Sequence, residues 1–236
     1  MHFLANLWPA VNRVETIFPR PSALATISRF YHAANVPHRD PPEETSTVFS
    51  VNFVEYAGFG VETTGRYWRL KAGDAFLSYP GMHYRCRHEE VCPEDVCLSV
   101  SLDRETVHQG GGVAPPAPRL PASSRLAYLR HRLLDALATR APLSIESCAL
   151  ELVPALCPDS QQWSGRLFQG RQFAWYAARI AEVCEQLRSE FAAPLPLTAL
   201  ARTARMSPYH FSRVFRELAF SNPRMSLKSE FDSNTR

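Results

Sequence analysis

Apolar and polar residues alternate along residues 47–56, TVFSVNFVEY, with Phe49, Val51 and Phe53 on one face, and again along residues 96–102, VCLSVSL. A period of two predicts strands. Further short strands are expected at 66–70 and 75–79, split by the turn Lys71-Ala72-Gly73-Asp74, and Gly58, Gly60, Gly65 and Pro80-Gly81 mark other turns. Several short strands with regular turns argue for a small barrel or sandwich. The segment 110–121, GGGVAPPAPRLP, reads as a linker that is flexible and then stiff. After it the apolar period lengthens. Residues 124–139 carry Leu126, Leu129, Leu133 and Leu137, residues 143–156 carry Leu143, Ile145, Leu150, Leu152 and Val153, and residues 173–191 carry Tyr176, Ile180, Val183, Leu187 and Phe191. Each is expected to be helical.

Residues 197–218, LTALARTARMSPYHFSRVFREL, read as two short helices joined by a tight turn. Leu197, Leu200, Ala201 and Ala204 recur on one face of the first. Ser207 is placed to accept a backbone N–H at the start of the second, and Pro208 suits the first helical position, where its missing N–H costs nothing. Phe211, Val214, Phe215 and Leu218 form an apolar stripe at i, i+3, i+4 and i+7. The opposite face keeps Tyr209, His210, Ser212, Arg213 and Arg216. A helix-turn-helix presents its recognition helix to the DNA major groove in this way, with Arg able to meet a guanine edge bidentately or a phosphate. An arginine-bearing face is also what a plain solvated helical hairpin shows, so shape alone leaves both readings open.

The segment SPYHFSRVFREL resembles the recognition helix of the AraC family of bacterial transcription regulators, and LTALARTARM resembles that family's first helix and turn. The likeness covers buried and exposed positions over about two dozen residues, well beyond a short motif. It implies that Tyr209, Ser212 and Arg213 face the bases, that Arg216 approaches the backbone, and that Thr198 contacts phosphate at the start of the first helix. Arg205 stands at the turn position where Gly is common in helix-turn-helix units. Upstream, YWRLKAGDAFLSYPGMHYRC resembles the cupin-like sensor arm of the same family, which binds a small effector or mediates dimerisation. The effector candidates on that arm are Phe53, Trp68, Tyr79 and His83, and Tyr67 is a further aromatic at strand spacing; aromatics so placed are more often core than ligand cage. The helical pair at 124–156 would dimerise the sensor or pack on the barrel. The helix at 173–191 resembles the first helix of the family's DNA-binding domain.

The family's DNA-binding domain joins two helix-turn-helix units. Here Phe220-Ser221-Asn222-Pro223-Arg224 resembles the turn after the first, with Phe220 where Gly is usual and Ser226 where an aromatic is usual, and MSLKSEFDSNTR then shows no helical apolar face. A single unit neutralises fewer phosphates than a pair, which costs affinity steeply at physiological salt. Either dimerisation supplies the second reader, or the chain is a truncated family member that binds a small molecule or poisons full-length relatives by mixed dimerisation.

Composition bounds these readings. The chain has 236 residues, 45% of them hydrophobic, and a net charge of +3. That suits two small cores and excludes a polybasic tail. From 197 onward to 218, Arg202, Arg205, Arg213 and Arg216 face only Glu217, so the positive charge is local to the reader. No segment is long and apolar enough to span a membrane, and the N-terminus lacks the features of a secretion signal. Cys86, Cys92, Cys97, Cys148, Cys157 and Cys184 follow no zinc spacing and no dense disulfide framework, so a reduced, cytoplasmic setting is expected. Metal cupins need a His-x-His pair with a carboxylate and a further His. The segment EYAGFGVETTGRYWRL has no histidine and His83 stands alone, so neither a metal, another cofactor nor catalysis is expected. Cys86, His83, His88, Cys92 and Cys97 read as loop cysteines and surface histidines.

The expected fold is thus α+β. Residues 1–40 carry no readable motif, 41–110 form a cupin-like sensor, 111–165 a linker and helical region, and 166–236 a truncated helix-turn-helix domain. The expected partners are double-stranded DNA, a small effector and a second copy of the chain. The effector, the operator and the sign of regulation are not legible.

Overall fold

The computed structural model describes residues 13–18, 24–33, 42–88, 94–109, 117–156, 166–190 and 195–219. The stretches containing Cys92, Cys157, Phe191, most of the 110–121 linker and everything from Phe220 onward lie outside them. The fold is α+β, and among the described residues the chain divides into two compact units. One takes the residues up to Ala122 together with those from Leu129 to 156; the other takes Ser123–Tyr128 and the residues from 166.

The first unit is built on two antiparallel sheets. The strands are β1 (Arg13–Phe18), β2 (Ala25–His32), β3 (Glu44–Thr45), β4 (Phe49–Tyr56), β5 (Gly60–Thr63), β6 (Arg66–Arg69), β7 (Ala75–Ser78), β8 (His83–Arg87), β9 (Asp95–Leu102) and β10 (Arg119–Leu120). Six of them form one sheet in the order β1-β2-β9-β4-β7-β10, and four form the other in the order β3-β8-β5-β6. Phe30, Val54, Phe76 and Cys97 of the larger sheet pack with Val61, Tyr84 and Cys86 of the smaller one, joined by Phe59, Leu70 and Met82. The two sheets therefore close face to face over a shared core.

The strands expected at 47–56, 66–70, 75–79 and 96–102 are β4, β6, β7 and β9, and the turns expected at Gly65, at 71–74 and at Pro80-Gly81 are present; Gly60, expected in a turn, instead opens β5 and pairs with Arg69 and Arg87. Gly73, in the Gly-Asp turn, has φ of 93°, a conformation that favours glycine. Two strands arise where the sequence shows no motif. β2 pairs with β9 from Ala25↔Leu102 to His32↔Asp95 and is central to the larger sheet, and β1 pairs with β2. The expected linker contributes β10, which pairs with β7.

The central strands β4, β7 and β9 of the larger sheet are largely buried on both faces, whereas the edge strand β1 is mostly exposed. β4 is buried from Phe49 to Val54, so its Phe49, Val51 and Phe53 side meets cover as well as its other side. On the Phe53 side, Glu55 pairs with Arg29 at 2.9 Å and with Arg130 at 3.8 Å. Arg130 lies on α2 (Ser124–Ala138), which follows α1 (Arg104–Gln109). The helix expected over 143–156 is broken. It becomes α3 (Pro142–Leu150) and a short 3-10 turn, Val153–Leu156. Pro154 lacks the N–H that would continue the helix. Leu143, counted in its apolar set, is 81% exposed.

The second unit holds the start of α2 with α4 (Gly170–Ser189), α5 (Leu197–Thr203) and α6 (Pro208–Leu218). Tyr176, Ile180, Val183 and Leu187 of α4 pack with Leu200 and Ala201 of α5 and with Phe211, Val214, Phe215 and Leu218 of α6. The apolar stripes expected on these three helices are the faces that meet.

Candidate functional site

The larger sheet carries an inward row of small uncharged polar residues. Antiparallel partners share a face, and Asn52 is partnered by Phe76 and by Ser99. Ser50 is partnered in the same way by Ser78 and Ser101. These residues, with Phe30, Ser46, Val48 and Tyr84, line a hollow of about 390 Å³ that is partly open to solvent. A chain of short hydrogen bonds orders its wall. Ser46 Oγ donates to Ser78 Oγ at 3.0 Å, Ser50 and Ser78 hydroxyls lie 2.7 Å apart, and Asn52 Nδ2 donates to Ser50 Oγ at 2.7 Å and to the Phe76 carbonyl at 3.1 Å. Tyr84 donates to Glu44 Oε2 at 3.4 Å. Burial pushes the Glu44 carboxyl up to about 8 against the opposing pull of that hydrogen bond, so it is largely protonated at neutral pH.

Phe53, Trp68, Tyr79 and His83 do not line this hollow. Phe53 is buried, but one residue along from Asn52 it points to the other face of the sheet. Trp68 lies opposite Val61 at the edge strand β6 and is half-buried. Tyr79 packs against the core between the sheets. His83 is exposed, with Nδ1 3.0 Å from Thr45 Oγ1 and 3.8 Å from Glu43; its neighbour Tyr84 takes the inward position. Tyr67 is 55% exposed and covers Gly60, where an added Cβ would stand 2.2 Å from its hydroxyl. The sequence signal for the lining of this hollow was the polar half of the alternation. Ser50, Asn52, Ser99 and Ser101 are all uncharged, whereas a strand face meeting water commonly carries Lys or Glu.

A second cluster closes the same interior at its other end. His32 and Asp95 are cross-strand partners on the inward face of β2 and β9. His88, just beyond β8, comes from the opposite sheet. Its Nε2 lies 2.9 Å from Asp95 Oδ2, and His32 Nδ1 lies 3.5 Å from the same oxygen. The imidazoles stack with centroids 3.7 Å apart and planes 8° apart. His88 is therefore an interior residue rather than a surface histidine. Cys86 and Cys97, also buried, have thiols pushed up by burial first and by neighbouring acidic groups second. They stay protonated and poorly nucleophilic.

The third region is the outward face of α6. Ser207 Oγ accepts the His210 backbone N–H at 3.3 Å, and Pro208 opens the helix. Arg205, between α5 and α6, has φ of 55°, in the left-handed region that favours glycine. Tyr209 is 82% exposed; Thr198, Pro208, Arg213 and Arg216 are exposed and Ser212 is half-buried. His210 faces inward in part: its Nε2 lies 3.1 Å from the Tyr176 hydroxyl of α4, and its Nδ1 lies 3.2 Å from Arg213 Nη2. The helix is fixed at its far end as well. Arg125 Nη2 donates to the Arg216 carbonyl at 2.9 Å, placing positive charge on a helix C-terminus, and Glu217 accepts the Arg166 N–H at 3.2 Å. Burial lowers the Arg125 pKa while Glu217 opposes the shift.

No protein-family model matches the chain, and no curated protein matches it. Its neighbours among solved structures include cupin-fold proteins. KdgF from a Halomonas species is 17% identical over 41% of this chain and 84% of its own, with a TM-score of 0.32. The cupin domain of Schizosaccharomyces pombe Cnp3 is 12% identical over 42% of this chain and 69% of its own, with a TM-score of 0.32. A cupin protein from Bacteroides fragilis is 14% identical over 34% of this chain and 66% of its own, with a TM-score of 0.29. Among the described residues, no helix is long and apolar enough to cross a membrane.

Proposed function

We propose that the chain is a DNA-binding transcription regulator of the AraC type, with α5 and α6 as its helix-turn-helix and the double-sheet unit as receptor for a small polar effector. The observation that carries the reading is α6 itself. Phe211, Val214, Phe215 and Leu218 are buried while Tyr209, Arg213 and Arg216 stand in solvent, on a helix pinned at both ends. A rigid helix with an exposed basic and aromatic face can enter a major groove without first being ordered. In this reading Tyr209, Ser212 and Arg213 meet base edges, Arg216 and Thr198 meet phosphates, and Pro208 opens the helix. His210 sets the angle of Arg213 and ties α6 to α4.

The effector half rests on the serine-lined hollow. Its walls offer hydroxyl and amide groups and no Lys, Arg, Asp, Glu or His among the lining residues. That favours a neutral, hydroxyl-bearing ligand over an anion or a cation, and it offers no general base for turnover. At about 390 Å³, part of it open to solvent, the hollow lies at the low end of the range usual for ligand pockets, which favours a small ligand. Regulation would follow if the ligand changes how two readers in a dimer are spaced. The test of the DNA half is Arg213→Ala, assayed for affinity and sequence preference on duplexes enriched by the parent protein. Unchanged affinity and preference would remove Arg213 from any recognition role.

A further inference from the structure

The geometry points to a binding site for a divalent transition-metal ion at His32, His88 and Asp95, at the end of the double-sheet interior away from the serine-lined hollow. One donor atom from each residue can be chosen so that all three lie within 4.8 Å of one another. Two imidazoles and one carboxylate are the donors that zinc and its first-row neighbours take, at bond lengths of about 2.0–2.2 Å. The side chains of His32 and Asp95 are each 3% exposed and that of His88 is 7% exposed. A carboxylate so deeply buried needs a compensating charge. Asp95 Oδ2 accepts no well-aligned hydrogen bond, although His88 Nε2 lies 2.9 Å away. A cation held between the three groups would supply that charge.

The site differs from the His-x-His arrangement sought in the sequence, and spacing along the chain could not reveal it. His32 and Asp95 are brought together by strand register, and His88 arrives from the other sheet. Binding asks for a modest rearrangement. Tetrahedral ligands on bonds of about 2.05 Å stand about 3.4 Å apart, so the donors draw in and one stacked ring turns until both nitrogen lone pairs converge. Three protein ligands leave one position open to water or another small donor. The ion would tie β2 and β9 of one sheet to the end of β8 of the other.

Full-length protein stripped with a chelator is dialysed against Zn²⁺ or Co²⁺ and assayed for bound metal, for the Co²⁺ absorption spectrum and for melting temperature. One ion per chain is expected, with tetrahedral visible bands, no thiolate charge-transfer band, and a higher melting temperature. His88→Gln and Asp95→Asn should each weaken binding at least tenfold and abolish the metal-dependent rise in melting temperature. His131→Gln, on the exposed face of α2, should change neither. The proposal is overturned if uptake is not stoichiometric or if it survives both substitutions. A thiolate band also overturns it, because it would move the ion to Cys86 and Cys97, and the parent protein alone shows this whether or not the variants fold.

Discussion

Asp74 is the sharpest point at which to perturb the double-sheet unit. It is fully buried and its carboxylate collects three donors. Arg119 Nε reaches Oδ2 at 2.9 Å, the Ala122 N–H reaches Oδ1 at 2.9 Å, and the Lys71 N–H reaches Oδ2 at 3.2 Å. One side chain thus fastens the Gly-Asp turn to β10 and to the segment leading into α2. Hydrogen bonds to a charged group contribute about 1.5–3 kcal/mol each. The donors recover part of that from water after truncation, since the Arg119 side chain is 32% exposed. Removing one partner of a buried pair costs about 3–5 kcal/mol, and that is the expected loss for Asp74→Ala. At about 2–4 °C per kcal/mol for a domain of this size, calorimetry should record a fall of about 6–20 °C in the transition of the β-rich unit. Asp74→Asn keeps one acceptor oxygen and should lose less. A melting temperature for Asp74→Ala within about 2 °C of the parent would refute the reasoning, because it would mean that the three donors gain nothing from the carboxylate.

Other outcomes follow from the same geometry. Arg213→Ala should leave the fold intact, its side chain being exposed, yet weaken binding to an enriched duplex by about 1–3 kcal/mol and relax one base position. Arg216→Ala should weaken all sequences alike and reduce the salt slope by about 1; fluorescence anisotropy across salt concentrations separates the two. Ser207→Ala removes the cap of α6 and should cost about 1 kcal/mol in urea unfolding. Glu44 has a folded pKa of about 8 against an ordinary value of 4.5, so the folded chain holds its proton more tightly than the unfolded chain. Its contribution is fully present below about pH 4.5 and is lost as pH rises through 8. Glu44→Gln should flatten that decline in a series of melts across this range, and an unchanged slope would place the titration elsewhere.

The elements that could be read from the sequence are those whose pattern reports one buried face. α4, α5 and α6 carry uninterrupted apolar stripes, and Ser207-Pro208 announces the start of α6 at the residue where it occurs. β6 and β7 were legible through the glycines and proline at their ends. β2 was not, because Ser28 and His32 are polar yet buried, so ATISRFYH shows no clean alternation. The same inversion separates the aromatic candidates from the hollow. Phe49, Val51 and Phe53 mark the apolar side of β4, and in a sheet covered on both faces the apolar side need not be the side that meets a ligand. The hollow lies on the side of Ser50 and Asn52. His32, His88 and Asp95 were illegible for a different reason: strand register and sheet closure bring them together, and neither can be read from sequence spacing.

The most direct measurement on the central claim is selection of duplexes from a random DNA pool by the purified full-length protein at low salt, followed by sequencing. The account predicts an enriched motif, repeated at a fixed half-site spacing if two copies bind together. Recovery of DNA with no sequence enrichment, or no recovery at all, would contradict the assignment of α6 as a reader of DNA.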